Sequence, residues 1–239
     1  MKKQPRDWLA LALDNISSLP AIENLVHVTA PFIGTFKVGL EQFTRFGPPV
    51  LDFVRVSGRK IFLDLKYHDI PNTVQRAVLS ASDLGVHFLT IHTQGGVEMM
   101  RAAKAAADSV KKKKGRAPKL IGVTLLTSIS QESLEKELCV KQNTGEYVKH
   151  LVSLAVEGGM DGIVCSAADL PVVKPHIPSH FEIFTPGIRP AGEDVNDQKR
   201  IAIPQDAIKN GATVLVIGRT INEAKDPAKA AEEIVEHLF

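Results

Sequence analysis

The sequence predicts a (β/α)8 barrel in a single domain. Short apolar runs recur about eight times, amphipathic patterns lie between most of them, and the alternation fills 239 residues. Strands alternating with helices make βαβ units and a parallel sheet, and eight such units in roughly 250 residues match the barrel arithmetic. A doubly wound sheet would want a glycine-rich phosphate turn after its first strand. Leu13-Asp14-Asn15-Ile16-Ser17 offers none. No linker rich in Pro, Gly or Ser divides the chain, so residues 1–239 read as one domain.

Strands are expected at 9–14, 35–40, 60–66, 87–92, 120–127, 162–166, 181–185 and 213–218. Helices are expected at 21–30, 42–56, 73–84, 97–113, 145–157, 205–210 and 228–238, with a weaker, proline-bounded candidate at 168–174. Gly58, Gly85, Gly158-Gly159 and Gly211 follow helical patterns as stop signals. The basic run Lys111 to Lys114 reads as a solvated helix end.

The chain is 44% hydrophobic and 23% charged, enough to bury a full core. A net charge of +2 is far from the basic balance of a nucleic-acid binder. Cys139 and Cys165 are the two cysteines, without metal-ligand spacing, so neither a disulfide framework nor a zinc site is expected. His68, His87 and His92 do not make a convincing metal set. The apolar run 8–13 is short for a signal peptide and is closed by Asp14. No stretch reaches membrane-spanning length, so a soluble, cytoplasmic protein is expected.

Polar residues collect where the predicted strands end, which is where barrel enzymes carry their catalytic groups. In 60–74, the apolar run Ile61-Phe62-Leu63 ends in Asp64 and Lys66, and Asp69 follows. Residues two apart on a strand share a face, so Asp64 and Lys66 are expected together. Lys37 interrupts Phe36-Lys37-Val38-Gly39-Leu40, and a cation there needs an inward partner. Asp14 ends the first strand, Thr127 and Ser128 the fifth, and Ser166 the sixth; Asn15, Ser128 and Ser166, each taken alone, read as helix caps.

Thr185-Pro186-Gly187-Ile188-Arg189 and Ile217-Gly218-Arg219 put glycines and arginines after the last two strands, where barrels often bind phosphate. The polar segment 190–200 between them is expected to act as a lid, with Gln198 available to a bound phosphate. Schiff-base chemistry needs a neutral lysine, whereas flanking carboxylates favour an ammonium at Lys66. An alternating row of lysines and carboxylates suits a reaction in which a substrate carbon becomes negative and is then protonated. Decarboxylation of an anionic, phosphorylated substrate fits best.

The run Phe62-Leu63-Asp64-Leu65-Lys66-Tyr67-His68-Asp69-Ile70-Pro71-Asn72-Thr73-Val74 resembles the signature of the bacterial-type orotidine 5′-phosphate decarboxylase family. The blocks Ala12 to Asp14, Phe36 to Gly39, Gly122 to Ser128, Thr185 to Arg189, Asp197-Gln198 and Ile217 to Arg219 are similar to family blocks in family order. Thr220, Asn222 and Ile203-Pro204 depart from the commonest family wording. The resemblance implies a decarboxylase without cofactor or metal that converts orotidine 5′-phosphate to UMP, the last step of de novo pyrimidine synthesis. It implies Lys66 as proton donor to C6, Asp64 against the substrate carboxylate, and Lys37 and Asp14 at the ribose hydroxyls. Thr127 would meet the pyrimidine edge, and Arg189, Gln198, Gly218 and Arg219 the phosphate. It further implies a homodimer in which Asp69 and Thr73 reach the neighbouring subunit's site.

Two rivals carry different expectations. Barrels of the ketogulonate-phosphate decarboxylase and hexulose-phosphate synthase type share D-x-K-x-x-D but hold Mg²⁺ with an acid ending the second strand. This chain offers Lys37 there, and Glu41 lies beyond the strand. A non-catalytic nucleotide-binding barrel would be expected to lack one of Lys37, Asp64, Lys66 or Asp69, and all four are present.

Overall fold

The computed structural model describes residues 3–189 and 202–239. Eight parallel strands close into a barrel in sequence order: β1 Leu9–Ala12, β2 Thr35–Gly39, β3 Lys60–Tyr67, β4 Phe88–His92, β5 Lys119–Val123, β6 Gly162–Val164, β7 Glu182–Thr185 and β8 Val214–Ile217. β8 pairs with β1, Leu9 opposite Leu215, and closes the ring. Among the described residues no helix is long and apolar enough to cross a membrane.

Each strand divides its side chains by the two-residue period of the pleat. Leu9 and Leu11 of β1, Phe36 and Val38 of β2, and Ile61 and Leu63 of β3 face outward into the main core beneath the helices. Ala10, Ala12, Phe62, Phe88, Ile121, Phe184, Val214 and Val216 form a separate cluster inside the barrel. Three phenylalanines plug it: the Phe62 ring lies 4.5 Å from Phe184 and 6.2 Å from Phe88, and Phe88 lies 5.0 Å from Phe184. The inward positions next in line on β2 and β3 are Lys37 and Asp64. An apolar floor therefore lies directly under a charged layer.

The helices start and stop on local chemistry. Ser18 caps Leu19–Thr29 by accepting from Ala21 N–H, Asn143 caps Thr144–Glu157 through Glu146 N–H, and Asp226 caps Pro227–Glu236 through Lys229 N–H. Pro71 opens Pro71–Asp83, and left-handed Gly115 ends Gly96–Lys114, whose four terminal lysines are exposed to solvent.

Several of the expected elements need correction. The helix expected over 42–56 is two, Leu40–Phe46 and Val50–Val56, because Gly47 turns at φ 64° and Pro48-Pro49 cannot continue the ladder. The strand expected over 120–127 ends at Val123. Its neighbour β6 stops at Val164, and Thr124 closes off that end by giving its N–H and hydroxyl to the Val164 carbonyl. β6 accordingly ends before Ser166, whose hydroxyl bonds Asp169 Oδ2 at 2.9 Å. A short helix at Gln131–Lys136, capped by Ser130, was not anticipated.

Truncating the plug tests this packing. Phe184→Ala should destabilise the fold by about 3–5 kcal/mol, the usual range for emptying a buried phenylalanine site, read as a lowered urea midpoint at unchanged slope.

Candidate active site

At the C-terminal mouth of the barrel lies a cavity of about 410 Å³. Asp14, Lys37, Asp64, Lys66, Thr127, Arg189, Gly218 and Arg219 all line it. Asn15, Ser166 and Asn222, which sequence reasoning did not place in a site, line it too.

The centre is a row of alternating charges. Lys37 Nζ lies 3.1 Å from both carboxylate oxygens of Asp14 and 3.6 Å from Asp64 Oδ2. Lys66 Nζ lies 2.8 Å from that same Asp64 Oδ2. Lys37 and Asp64 are buried, Lys66 and Asp14 only partly. Register puts the row together: Ala12 pairs with Lys37 and Gly39 with Asp64 across three adjacent strands. Gly39 leaves the necessary room, since a Cβ there would stand 3.1 Å from both Asp14 Oδ1 and Lys37 Nζ.

Burial alone would raise the Asp64 carboxyl, but the Lys37 and Lys66 ammoniums, with hydrogen bonds from Lys66 and Thr90, hold it below the ordinary range. Burial would lower the Lys37 amine, and Asp64 and Asp14 reverse that to hold it above its ordinary value. His92, at the end of β4, is pulled down to about 4 by burial, with His68 and Lys66 pushing the same way. Its ring packs 5.5 Å from that of His68, and among the described residues no group of three potential ligands gathers around them.

Asp64 and Lys66 do meet, though not by simple pleat alternation. Between Leu63↔Leu89 and Tyr67↔Ile91 the β3–β4 register shifts, and Lys66 takes a left-handed backbone at φ 50°. Thr90 bridges the irregularity: its hydroxyl donates to Asp64 Oδ1 at 3.0 Å and accepts from Lys66 N–H at 2.8 Å. Asn222 Nδ2 donates to the carbonyls of Ala12 and Asp14 at 2.7 and 3.3 Å, holding the end of β1. Neither residue is marked by its sequence context. Glu41 accepts from Asn15 N–H at 3.0 Å and sits near Arg45, so the acid that follows β2 in the sequence is already engaged.

Arg189 and Arg219 follow β7 and β8, and β7 lies across the closed ring from β3. Asp69 and Thr73 do not line the cavity; both are exposed, beside and at the start of Pro71–Asp83. Gln198 and the expected lid at 190–200 lie outside the described residues. The described flanks adjoin each other: Arg189 N–H donates to Ala202 O at 3.0 Å and Ala202 N–H to Gly187 O at 3.1 Å.

Fold and cavity together place the chain among the (β/α)8-barrel enzymes. The chain belongs to the orotidine 5′-phosphate decarboxylase / HUMPS family, whose model matches residues 7–234. It is 41% identical over 239 residues to orotidine 5′-phosphate decarboxylase of Moorella thermoacetica, covering 100% of this chain and 94% of that one. It is 42% identical over 225 residues to the enzyme of that name from Prochlorococcus marinus strain NATL1A, covering 94% and 92%. The solved structure of orotidine 5′-phosphate decarboxylase from Lactobacillus acidophilus superposes with a TM-score of 0.84 at 34% identity, covering 96% of this chain and 98% of that one.

Linkage sets the pH window of the charge row. The lowered Asp64 contributes stability above its unfolded value of about 3.9, lost as pH falls through the folded value; the raised Lys37 contributes below about 10.4, lost as pH rises through its folded value. Lys37→Met removes one of the two cations that depress Asp64, so the acid limb of the stability profile should move to higher pH. At neutral pH the loss should be about 3–5 kcal/mol, as for breaking one partner of a buried pair, measured by urea titration between about pH 3 and 8.

Proposed function

We propose that the protein decarboxylates orotidine 5′-phosphate to UMP and CO₂ without cofactor or metal, as the last step of de novo pyrimidine synthesis, in the cytoplasm, and that residues 1–239 form one domain. The observation that carries this reading is the single Asp64 oxygen shared by two lysine ammoniums at the mouth of the cavity. Family membership and the printed names of its relatives point the same way.

Arg189 and Arg219, with the Gly218 backbone and Gln198, hold the phosphate at the β7–β8 side. That fixes the pyrimidine across the barrel with its C6 carboxylate over Asp64 and C6 facing Lys66. Thr127 contacts the pyrimidine edge, and Asp14 with Lys37 holds the ribose hydroxyls. The C6–carboxylate bond breaks, CO₂ leaves, and the electron pair stays on C6. The Lys66 ammonium stabilises that charge and donates its proton to C6; the amine left behind regains a proton from water. Phosphate binding energy, realised far from C6, is available to press the carboxylate against Asp64. The apolar floor of Phe62 and Phe184 keeps water from screening these charges from below.

A divalent ion fits the donor set poorly. Asp64 already faces two ammoniums, and the second strand supplies Lys37 where a metal-binding relative would supply an acid.

We also propose a homodimer with shared sites, in which Asp69 joins the charge row and Thr73 the substrate contacts of the neighbouring cavity. Both are exposed at the cavity end of the barrel, and Ile70 between them is an apolar side chain 66% exposed, as expected of a surface that a second copy covers.

Purified protein should bleach orotidylate absorbance equally with and without EDTA; loss of activity on chelation would favour the Mg²⁺-dependent barrel. Lys66→Ala should cut turnover by about 10⁴-fold or more with the fold retained by circular dichroism. Arg219→Ala should act chiefly on KM, by about 10- to 100-fold, the worth of one charge-assisted hydrogen bond. Inactive Lys66→Ala and Asp69→Ala proteins, mixed one to one and allowed to exchange subunits, should recover about a quarter of wild-type activity, because half the dimers then carry one intact site. No recovery despite demonstrated exchange would argue against shared sites.

A further inference from the structure

We propose that Thr90 is a positioning residue for the proton transfer: one hydroxyl fixes both the orientation of the Asp64 carboxylate and the backbone from which Lys66 projects. The inference rests on the decarboxylase reading above and extends it to a side chain that touches no substrate.

Thr90 is fully buried on β4, at an inward position between Phe88 and His92. A buried threonine hydroxyl has one proton to give and lone pairs to accept. Here the acceptor side takes Lys66 N–H at 2.8 Å, and the proton goes to Asp64 Oδ1 at 3.0 Å. The register shift between β3 and β4 makes the first bond necessary. From Leu63↔Leu89 to Tyr67↔Ile91, four steps along β3 oppose two along β4, so the regular ladder cannot supply a carbonyl for every amide between them. The hydroxyl substitutes for one. The left-handed Lys66 costs about 1–3 kcal/mol for a non-glycine residue and persists only where neighbours over-determine it; Thr90 is one such neighbour.

The second bond leaves the other carboxylate oxygen, Oδ2, to the two lysines. With Oδ1 anchored from below by Thr90, Oδ2 is the atom that faces Lys37 at 3.6 Å and Lys66 at 2.8 Å. A carboxylate free to rotate would present either oxygen, and Lys66 Nζ would follow it. Because a displacement of about 1 Å can lower turnover about 100-fold, loss of the bridge should appear in the chemical step rather than in ground-state binding. The groups facing Asp64 are Lys37 on β2, Lys66 on β3 and Thr90 on β4, with Asp14 beyond Lys37 and His92 further along β4. Removing the Thr90 donor withdraws one influence that lowers the Asp64 carboxyl.

Thr90→Val keeps the branched shape and removes the hydroxyl; Thr90→Ser keeps the hydroxyl and removes the methyl. Turnover by Thr90→Ser should stay within about 5-fold of wild type, while kcat of Thr90→Val falls about 100-fold with KM changed less than about 5-fold. The acid limb of kcat/KM should move to higher pH in Thr90→Val alone. Equal turnover of the two variants, or a Thr90→Val loss that disappears when activity is scaled to the folded fraction from thermal melts, would overturn the inference. Failure of the underlying function is read separately, as wild-type protein that does not consume orotidylate. Even then, amide hydrogen exchange at Lys66 tests the bridge, with faster exchange expected in Thr90→Val than in wild type or Thr90→Ser; unchanged exchange in Thr90→Val would overturn it.

Discussion

The site depends on one carboxylate held ionised between two ammoniums. Asp64 is buried above three phenylalanines, where an isolated charge would be costly. It is tolerated because Lys37 and Lys66 converge on the same oxygen and Thr90 occupies the other. Each lysine in turn depends on it, and Lys37 has Asp14 as a second partner. The row is thus a mutually dependent set, in which removal of any member leaves another buried and under-compensated. Charges fixed in place in this way are what electrostatic stabilisation of a developing charge requires.

The barrel supplies this arrangement at modest cost. Parallel pairing sets β1, β2 and β3 side by side, so Ala12, Lys37 and Phe62 share one level and Gly39 and Asp64 the next. Pleat alternation then sends Leu11, Phe36 and Leu63 outward into the helix-facing core while the charged residues turn inward. The rule breaks at Lys66, where the left-handed backbone and the shifted register bring the amine onto Asp64. Such local strain at the mouth of an otherwise regular barrel is common where an active site has been built into a stable scaffold.

Much of this was legible in the sequence because charges inside apolar runs demand explanation. Lys37 within Phe36 to Leu40, and Asp64 with Lys66 after Ile61 to Leu63, announced themselves by violating the pattern around them. The strand and helix order followed from periodicity, and strand ends were missed where a partner strand, rather than the run itself, sets the length, as with β5 against the three-residue β6. Thr90 was not legible: a threonine within a strand is ordinary, and its importance arises from a register shift that only three dimensions reveal. Asn222 is similar, since its contact with the end of β1 spans nearly the whole chain. For Asp69 and Thr73 the limit is different, because the proposed role needs a second copy of the chain that neither one sequence nor one subunit displays.

Asp64 is an anion whose charge is maintained by its neighbours, and that can be observed without reference to turnover. The most direct measurement is a ¹³C NMR titration of the Asp64 carboxyl carbon in the unliganded protein. The account predicts a midpoint clearly below the ordinary aspartate value of about 3.9, or no transition before acid unfolding. A midpoint at or above that value would mean the two ammoniums do not hold the carboxylate, and the charge row would lose its meaning.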